Sequence, residues 1–161
     1  MRVEKVNLTK ENLLKIQKID DEFYTSEIFG IDWYTERYKE FHNGYLLINE
    51  KEEAVGYIIV IPVKKELYDA ITSGILVNDI HINPNMFIKK SEYHYLSSFV
   101  LQKEYRHQNY GLLLIKELAK DVKGNICCLA ISEAGKNKAS QYMDLKEKIN
   151  DKVSVYERTI N

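Results

Sequence analysis

Residues 101–116 constrain the fold of this chain more than any other stretch, because the end of an apolar strand, a short polar turn and an amphipathic segment follow one another without a gap. Tyr93 to Leu101 has strand character. Tyr110 to Val122 carries Leu114, Ile115, Leu118, Ala119 and Val122 at helical spacing. A strand that feeds straight into a helix calls for a sheet with helices packed on it. The turn between them opens with Arg106 and ends with Gly111 at the start of the helix. The first amides of a helix have no intrahelical acceptor, and the helix dipole leaves partial positive charge there. A pyrophosphate can therefore be held at such a turn by backbone alone.

The 161 residues, 45% of them hydrophobic and 29% charged, fit one compact domain over residues 1–161 with a sizeable core. The formal net charge is -1 and no Lys/Arg run exceeds two residues, so neither nucleic acid nor an anionic membrane is an expected partner. The N-terminal Met-Arg-Val-Glu-Lys-Val lacks the apolar segment of a signal peptide and no apolar run is long enough to cross a bilayer, which makes a cytoplasmic location the expectation. Cys127 and Cys128 are adjacent in an apolar strand-like run. Neighbouring strand residues point to opposite faces, so the two are expected as buried free thiols that neither pair nor share a metal.

Arg2 to Asn7 alternates as a half-buried strand, and Thr9 is placed to cap a helix through Phe23 with Leu13, Ile16, Ile19 and Phe23 on one side. Tyr24 to Ile31 reads as a loop, and Asp32 as the cap of a short helix bearing Trp33, Arg37, Tyr38 and Phe41. Gly44 to Asn49 and Ala54 to Ile61 form a hairpin through Glu50 to Glu53, and Pro62 ends its second strand. Lys64 to Ser73 reads as a helix stopped by Gly74, and Asn78 to Lys90 as irregular with a turn at Asn83-Pro84-Asn85. For residues 76–90 a lid, an interface and a surface excursion all stay open. Ile126 to Ile131 is expected to be a buried strand, Lys138 to Ile149 a helix, and Val153 to Thr159 a last strand. The order is then βααββ, an irregular middle and βαβαβ, an α/β (α+β) arrangement.

Tyr105-Arg106-His107-Gln108-Asn109-Tyr110-Gly111, set between strand and helix, resembles the acyl-CoA-binding signature of the GCN5-related N-acetyltransferase family. That pattern is Arg or Gln, two residues, Gly, one residue, then Gly or Ala. Arg106 and Gly111 match, and Asn109 stands in the place of the first Gly. Asn tolerates positive φ better than most residues with a Cβ. The resemblance extends to the order of elements from Val3 to Thr159. It implies a mixed, mostly antiparallel central sheet with helices on both faces, and acetyl-CoA as cosubstrate with no metal. It also implies that backbone groups of Phe99 and Leu101 pair with the pantetheine arm, which a splay between the strands at 93–101 and 126–131 would admit. Amides from Arg106 through His107, Gln108, Asn109, Tyr110, Gly111 and Leu112 would take the pyrophosphate, and Asn137, just before its helix, would give a polar contact to pantetheine.

Acyl transfer to an amine needs a neutral amine, a polarised carbonyl and a proton for the departing thiolate. The family's acid is usually a Tyr in the helix after the buried strand, which implies Tyr142; one alignment places Met143 there instead. The family's strand carboxylate has no counterpart within Tyr93 to Leu101. Glu92 stands at its start, and Ser97 and Ser98 occupy the middle, where a hydroxyl can orient a water that relays a proton. His81 and His94 have the right intrinsic pKa for the task. The family's acceptor wall corresponds to Asp20, Asp21, Glu22, Glu27, Asp32 and Glu36 among Phe23, Tyr24, Phe29, Trp33 and Tyr34, which suits a cationic small-molecule or peptide amine or is simply a solvated face. Three readings stay open: an acetyl-CoA-dependent N-acetyltransferase, a CoA-binding regulatory module of the same fold, and an unrelated α/β binding domain. A homodimer is compatible with each.

Overall fold

The computed structural model describes residues 1–23, 30–38, 42–106, 108–150 and 153–161. Seven strands and five α-helices follow in the order β1 (Arg2–Asn7), α1 (Lys10–Asp20), α2 (Ile31–Arg37), β2 (Asn43–Ile48), β3 (Ala54–Pro62), α3 (Lys65–Thr72), β4 (Tyr93–Leu101), α4 (Tyr110–Asp121), β5 (Gly124–Ala130), α5 (Glu133–Tyr142), β6 (Asp144–Lys148) and β7 (Ser154–Ile160). The strands hydrogen-bond in the order β1-β2-β3-β4-β5-β7-β6. The β4–β5 ladder is parallel, and the β1–β2, β2–β3, β5–β7 and β6–β7 ladders are antiparallel. This is the mixed, mostly antiparallel sheet that the family resemblance implies. The chain divides into two compact units, residues 1–60 with 98–121 and residues 61–97 with 122–161.

In the first unit, Thr9 caps α1 with its hydroxyl accepting from the Asn12 amide at 3.4 Å. The helix stops at Asp20, short of the expected Phe23, and the Phe23 amide turns back onto the Asp20 carbonyl at 2.8 Å. Three successive acids, Asp20, Asp21 and Glu22, would face the negative end of a longer helix, which disfavours its extension. Gly30, not Asp32, caps α2, and Asp32 sits in its first turn. The β2–β3 turn is built by Asn49, whose Oδ1 accepts from the amides of Lys51 and Glu53 at 2.9 and 3.0 Å. Leu46 pairs with Tyr57 and Tyr45 with Ile58, so the two faces of the hairpin are distinct. Tyr57 reaches Asp20 of α1, whereas the Tyr45 hydroxyl donates to Asp121 of α4 at 2.8 Å. Helices α1 and α4 therefore cover opposite faces.

In the second unit, α3 ends at a glycine with φ 73°, Gly74, as its sequence position suggested. The stretch after it is irregular apart from two 3-10 turns, Asp79–His81 and Pro84–Met86, each begun by an Asn side chain that accepts a backbone amide. Cys127 opposes Glu157, which accepts from Tyr68 of α3, while Cys128 packs with Ala130, Tyr156 and Met143 beside α5. Both thiols are buried and free on opposite faces. Burial pushes the Cys128 thiol up to about 12 and raises Cys127 as well, with its neighbour Cys128 and Glu157 adding to the shift. The expected helix from Lys138 to Ile149 is met only as far as Tyr142: α5 begins earlier, at Glu133, and stops there. Ser132 caps α5 through the Gly135 amide, Met143 turns extended at φ -136° and ψ 155°, and Asp144–Lys148 pairs with β7 as an exposed edge strand. Met143, partly buried, packs against the cluster of Cys128, Ala130 and Tyr156 at this point. Gly124 opens β5.

Candidate active site

The turn after β4 starts with a 3-10 segment, Lys103–Tyr105, and Arg106 leaves it extended at φ -75° and ψ 158°. The Arg106 Nε donates to the Leu101 carbonyl at 3.0 Å, and its guanidinium carbon lies 4.6 Å from the Phe23 ring centroid. A cation held between a carbonyl and an aromatic face is fixed in place without being neutralised. Gln108 Nε2 donates to the Glu104 carbonyl at 2.9 Å, and Asn109 adopts φ 60°. The left-handed conformation that the first Gly of the motif would supply is thus supplied here by Asn. The Asn109 carbonyl accepts from the Leu112 amide at 3.0 Å and α4 begins at Tyr110, whose ring lies 6.3 Å from that of Tyr105. Gly111 is buried in the first turn of α4. His107 lies outside the described residues, as do Tyr24, Glu27, Phe29 and Phe41.

The same unit holds a polar cluster that the sequence does not advertise. Asp20 is 6% exposed. Its Oδ2 accepts from the Tyr34 hydroxyl at 2.5 Å and its Oδ1 from the Tyr57 hydroxyl at 2.6 Å. The Tyr57 oxygen is also 2.8 Å from Ser98 Oγ on β4. Burial raises the Asp20 carboxyl above its ordinary value, the hydrogen bonds from Tyr34 and Tyr57 oppose the rise, and Asp21 adds to it. Burial and the neighbouring Asp20 push the Tyr34 and Tyr57 hydroxyls up in turn. Asp21, Glu22, Asp32 and Glu36, the other described acids of this region, are exposed. Asp20 is therefore no part of a solvated face. Tyr57 could have been suspected from the sequence as the one hydroxyl in an otherwise apolar strand, because a buried tyrosine needs a partner.

The remaining candidates lie in other surroundings. Phe99 and Leu101 are half-buried on β4, and the Leu101 carbonyl accepts from Arg106. Ser97 is half-buried on β4, one residue from Ser98 and so on the other face. In the second unit, Glu92 is exposed ahead of β4 and its carbonyl accepts from the Asn125 amide at 2.7 Å. Asn137 is exposed within α5, not ahead of it, and its carbonyl accepts from Ser140 Oγ at 3.0 Å. Tyr142, the last residue of α5, is half-buried, with Lys138 Nζ 5.3 Å from its ring centroid and its carbonyl accepting from Arg158 at 2.6 Å. Met143 faces the core beside Cys128. His94 is buried, and desolvation lowers it below its ordinary value against an opposing backbone hydrogen bond at Asn125, whereas His81 is exposed. Among the described residues, no helix is long and apolar enough to cross a membrane and no group of His, Cys, Asp and Glu could hold a metal ion.

Solved structures share this fold at low identity. Arabidopsis thaliana NAA60 in complex with acetyl-CoA is 10% identical, with a TM-score of 0.66 over 98% of this chain and 99% of that one. An acetyltransferase from Thermus thermophilus is 11% identical, with a TM-score of 0.64 over 99% of this chain and 97% of that one. The GNAT-like decarboxylase GphF in complex with isobutyryl-CoA is 7% identical, with a TM-score of 0.69 over the whole of both chains. No curated protein matches the sequence. The profile of the acetyltransferase (GNAT) family matches residues 13–143, a span that runs from α1 through the Arg106 turn to Met143. A match over so much of the chain, on a sheet of the same fold, means that the chain belongs to the acetyltransferase (GNAT) family.

Proposed function

We propose that the chain is an N-acetyltransferase that moves the acetyl group of acetyl-CoA to a small-molecule or peptide amine by direct attack of nitrogen on the thioester. The observation that carries this reading is the turn at Arg106 to Leu112. Its left-handed residue at Asn109 and its fixed guanidinium precede the amide-rich start of α4, a combination suited to a pyrophosphate. NAA60 with acetyl-CoA and GphF with isobutyryl-CoA lend support, since both relatives in fold hold an acyl-CoA. In this reading Phe99 and Leu101 offer backbone groups to the pantetheine arm, Asn137 adds a polar contact, and Tyr142 protonates the departing thiolate. Glu92 and Ser97 are the candidates for handling the amine's proton, and acetyl-CoA is the cosubstrate.

A second reading, a CoA-binding module without efficient chemistry, draws on one fact: β4 carries no carboxylate. One experiment separates them. CoA should raise the melting temperature, because a ligand specific for the native state stabilises it. Acetyl-CoA with a panel of amines should then release free thiol. Thermal stabilisation without thiol release favours the module, and absence of both removes the CoA reading.

A further inference from the structure

Asp20, Tyr57 and Ser98 form a line of hydrogen bonds that runs from a buried carboxylate on α1 to a half-buried hydroxyl on β4. The direction of that line follows from donor chemistry. An ionised carboxylate only accepts, so Tyr34 and Tyr57 must both donate to Asp20. The Tyr57 oxygen is then left as an acceptor, and Ser98 donates to it. The lone pairs of Ser98 that face away from Tyr57 are left to accept a hydrogen bond at the outer end. Among the described residues no cation pairs with Asp20, and the groups that bond its carboxylate are hydroxyls. A buried carboxylate held in this way is costly unless a proton can reach it.

From this geometry we infer that Ser98, Tyr57 and Asp20 are a proton relay that neutralises a cationic amine acceptor before it attacks, with Asp20 as the terminal base. The inference rests on the acetyltransferase reading and adds to it the acceptor class, a protonated alkylamine. In the step, one N–H bond of the ammonium breaks and its electron pair stays on nitrogen. The proton joins Ser98 Oγ, the former Ser98 proton passes to Tyr57 Oη, and the former Tyr57 proton passes to Asp20 Oδ1. One positive and one negative charge disappear and every hydroxyl is conserved. Among the described residues, Tyr34 on α2, Tyr57 on β3 and Asp21 just after α1 act on the carboxylate, Tyr38 and Ser98 act in turn on Tyr57, and none of them is a cation. Tyr34 binds the other carboxylate oxygen and lies off the path.

That asymmetry supplies the test. Thiol release from acetyl-CoA is measured on the full chain with spermidine and a panel of primary alkylamines, and CoA binding is followed by melting temperature. Ser98→Ala and Tyr57→Phe cut the path and should lower kcat/KM near neutral pH by about 10²-fold, with the CoA-dependent rise in melting temperature retained. Tyr34→Phe removes a comparable hydrogen bond from the same carboxylate without cutting the path and should cost clearly less than Tyr57→Phe near neutral pH. As pH rises toward the amine's own pKa, about 10, the acceptor deprotonates in solution and the deficit of the path variants should shrink. A purely structural cluster predicts equal losses for Tyr34→Phe and Tyr57→Phe at every pH, and that result overturns the relay. Wild-type chain that binds CoA yet acetylates no amine of the panel also overturns it, whereas absence of any CoA effect removes the acetyltransferase reading itself.

Discussion

Arg106 reaches back along its own turn to Leu101, with Nε donating to the carbonyl at 3.0 Å and the guanidinium face 4.6 Å from Phe23. This arrangement locks the side chain before any anion arrives, so little rotamer entropy remains to be lost on binding. Lys cannot reproduce it, because an ammonium has no planar face and no fixed fork of donors. Arg106→Lys is therefore expected to behave more like Arg106→Ala than like the wild type. Each should weaken CoA by about tenfold, the value of one charge-assisted hydrogen bond. Calorimetric titration with CoA checks this, and an Arg106→Lys affinity equal to wild type would assign Arg106 to the surface.

Asn109 holds φ 60° where the family motif expects Gly. Asn109→Gly relieves the strain on a Cβ but frees the unfolded chain, and the two effects should cancel to within about 1 kcal/mol. Asn109→Val brings a β-branched side chain into the left-handed region and should cost about 2 kcal/mol or more. Urea denaturation compares the two. The same pair should order CoA affinity, with Asn109→Gly at or above wild type.

Most of the fold was legible because its elements carry their own signals. Thr9 before α1, the Glu50 to Glu53 turn, Gly74 after α3 and the Arg106 turn are local, and a local signal survives in one sequence. The edge strand Asp144–Lys148 was not legible, since it is exposed throughout and held by backbone pairing to β7, which leaves no side-chain period. The polar cluster was hidden for a different reason. Asp20 sits in a run of acids that reads as solvated, and its partner Tyr57 lies 37 residues away inside an apolar strand. Only tertiary structure brings them together, and it selects Ser98 from the Ser97–Ser98 pair as the one bonded to Tyr57.

Gly124 and Gly74 both have positive φ, 103° and 73°, but they differ in the space around them. A Cβ on Gly124 would lie 2.3 Å from the Glu92 carbonyl oxygen, whereas one on Gly74 would meet nothing nearer than 3.5 Å. Gly74→Ala should thus cost only the conformational term, about 1 kcal/mol. Gly124→Ala adds a clash with backbone and should cost about 3 kcal/mol, since Glu92 also accepts the Asn125 amide that begins the β4–β5 ladder. Equal thermal shifts for the two variants would show that the strand ends yield to the added methyl group.

The raised Asp20 carboxyl has a stability consequence whose sign is fixed. A carboxyl that binds its proton more tightly in the folded state contributes stability that is present below the unfolded-state value, about 3.9, and lost as pH rises through the folded value. His94 works in the opposite sense, because its lowered folded value contributes stability above the ordinary histidine range that is lost as pH falls. The wild-type profile mixes both, and the difference between wild type and Asp20→Asn isolates the carboxyl. Asn keeps the shape and can both accept and donate toward Tyr34 and Tyr57. Asp20→Asn should therefore gain on the wild type as pH is raised from about 4 to 8, with the gain levelling off once Asp20 is ionised in both states. Urea midpoints across that range measure it, and a wild type that gains on Asp20→Asn instead would mean that the two tyrosine hydroxyls outweigh the burial of the charge.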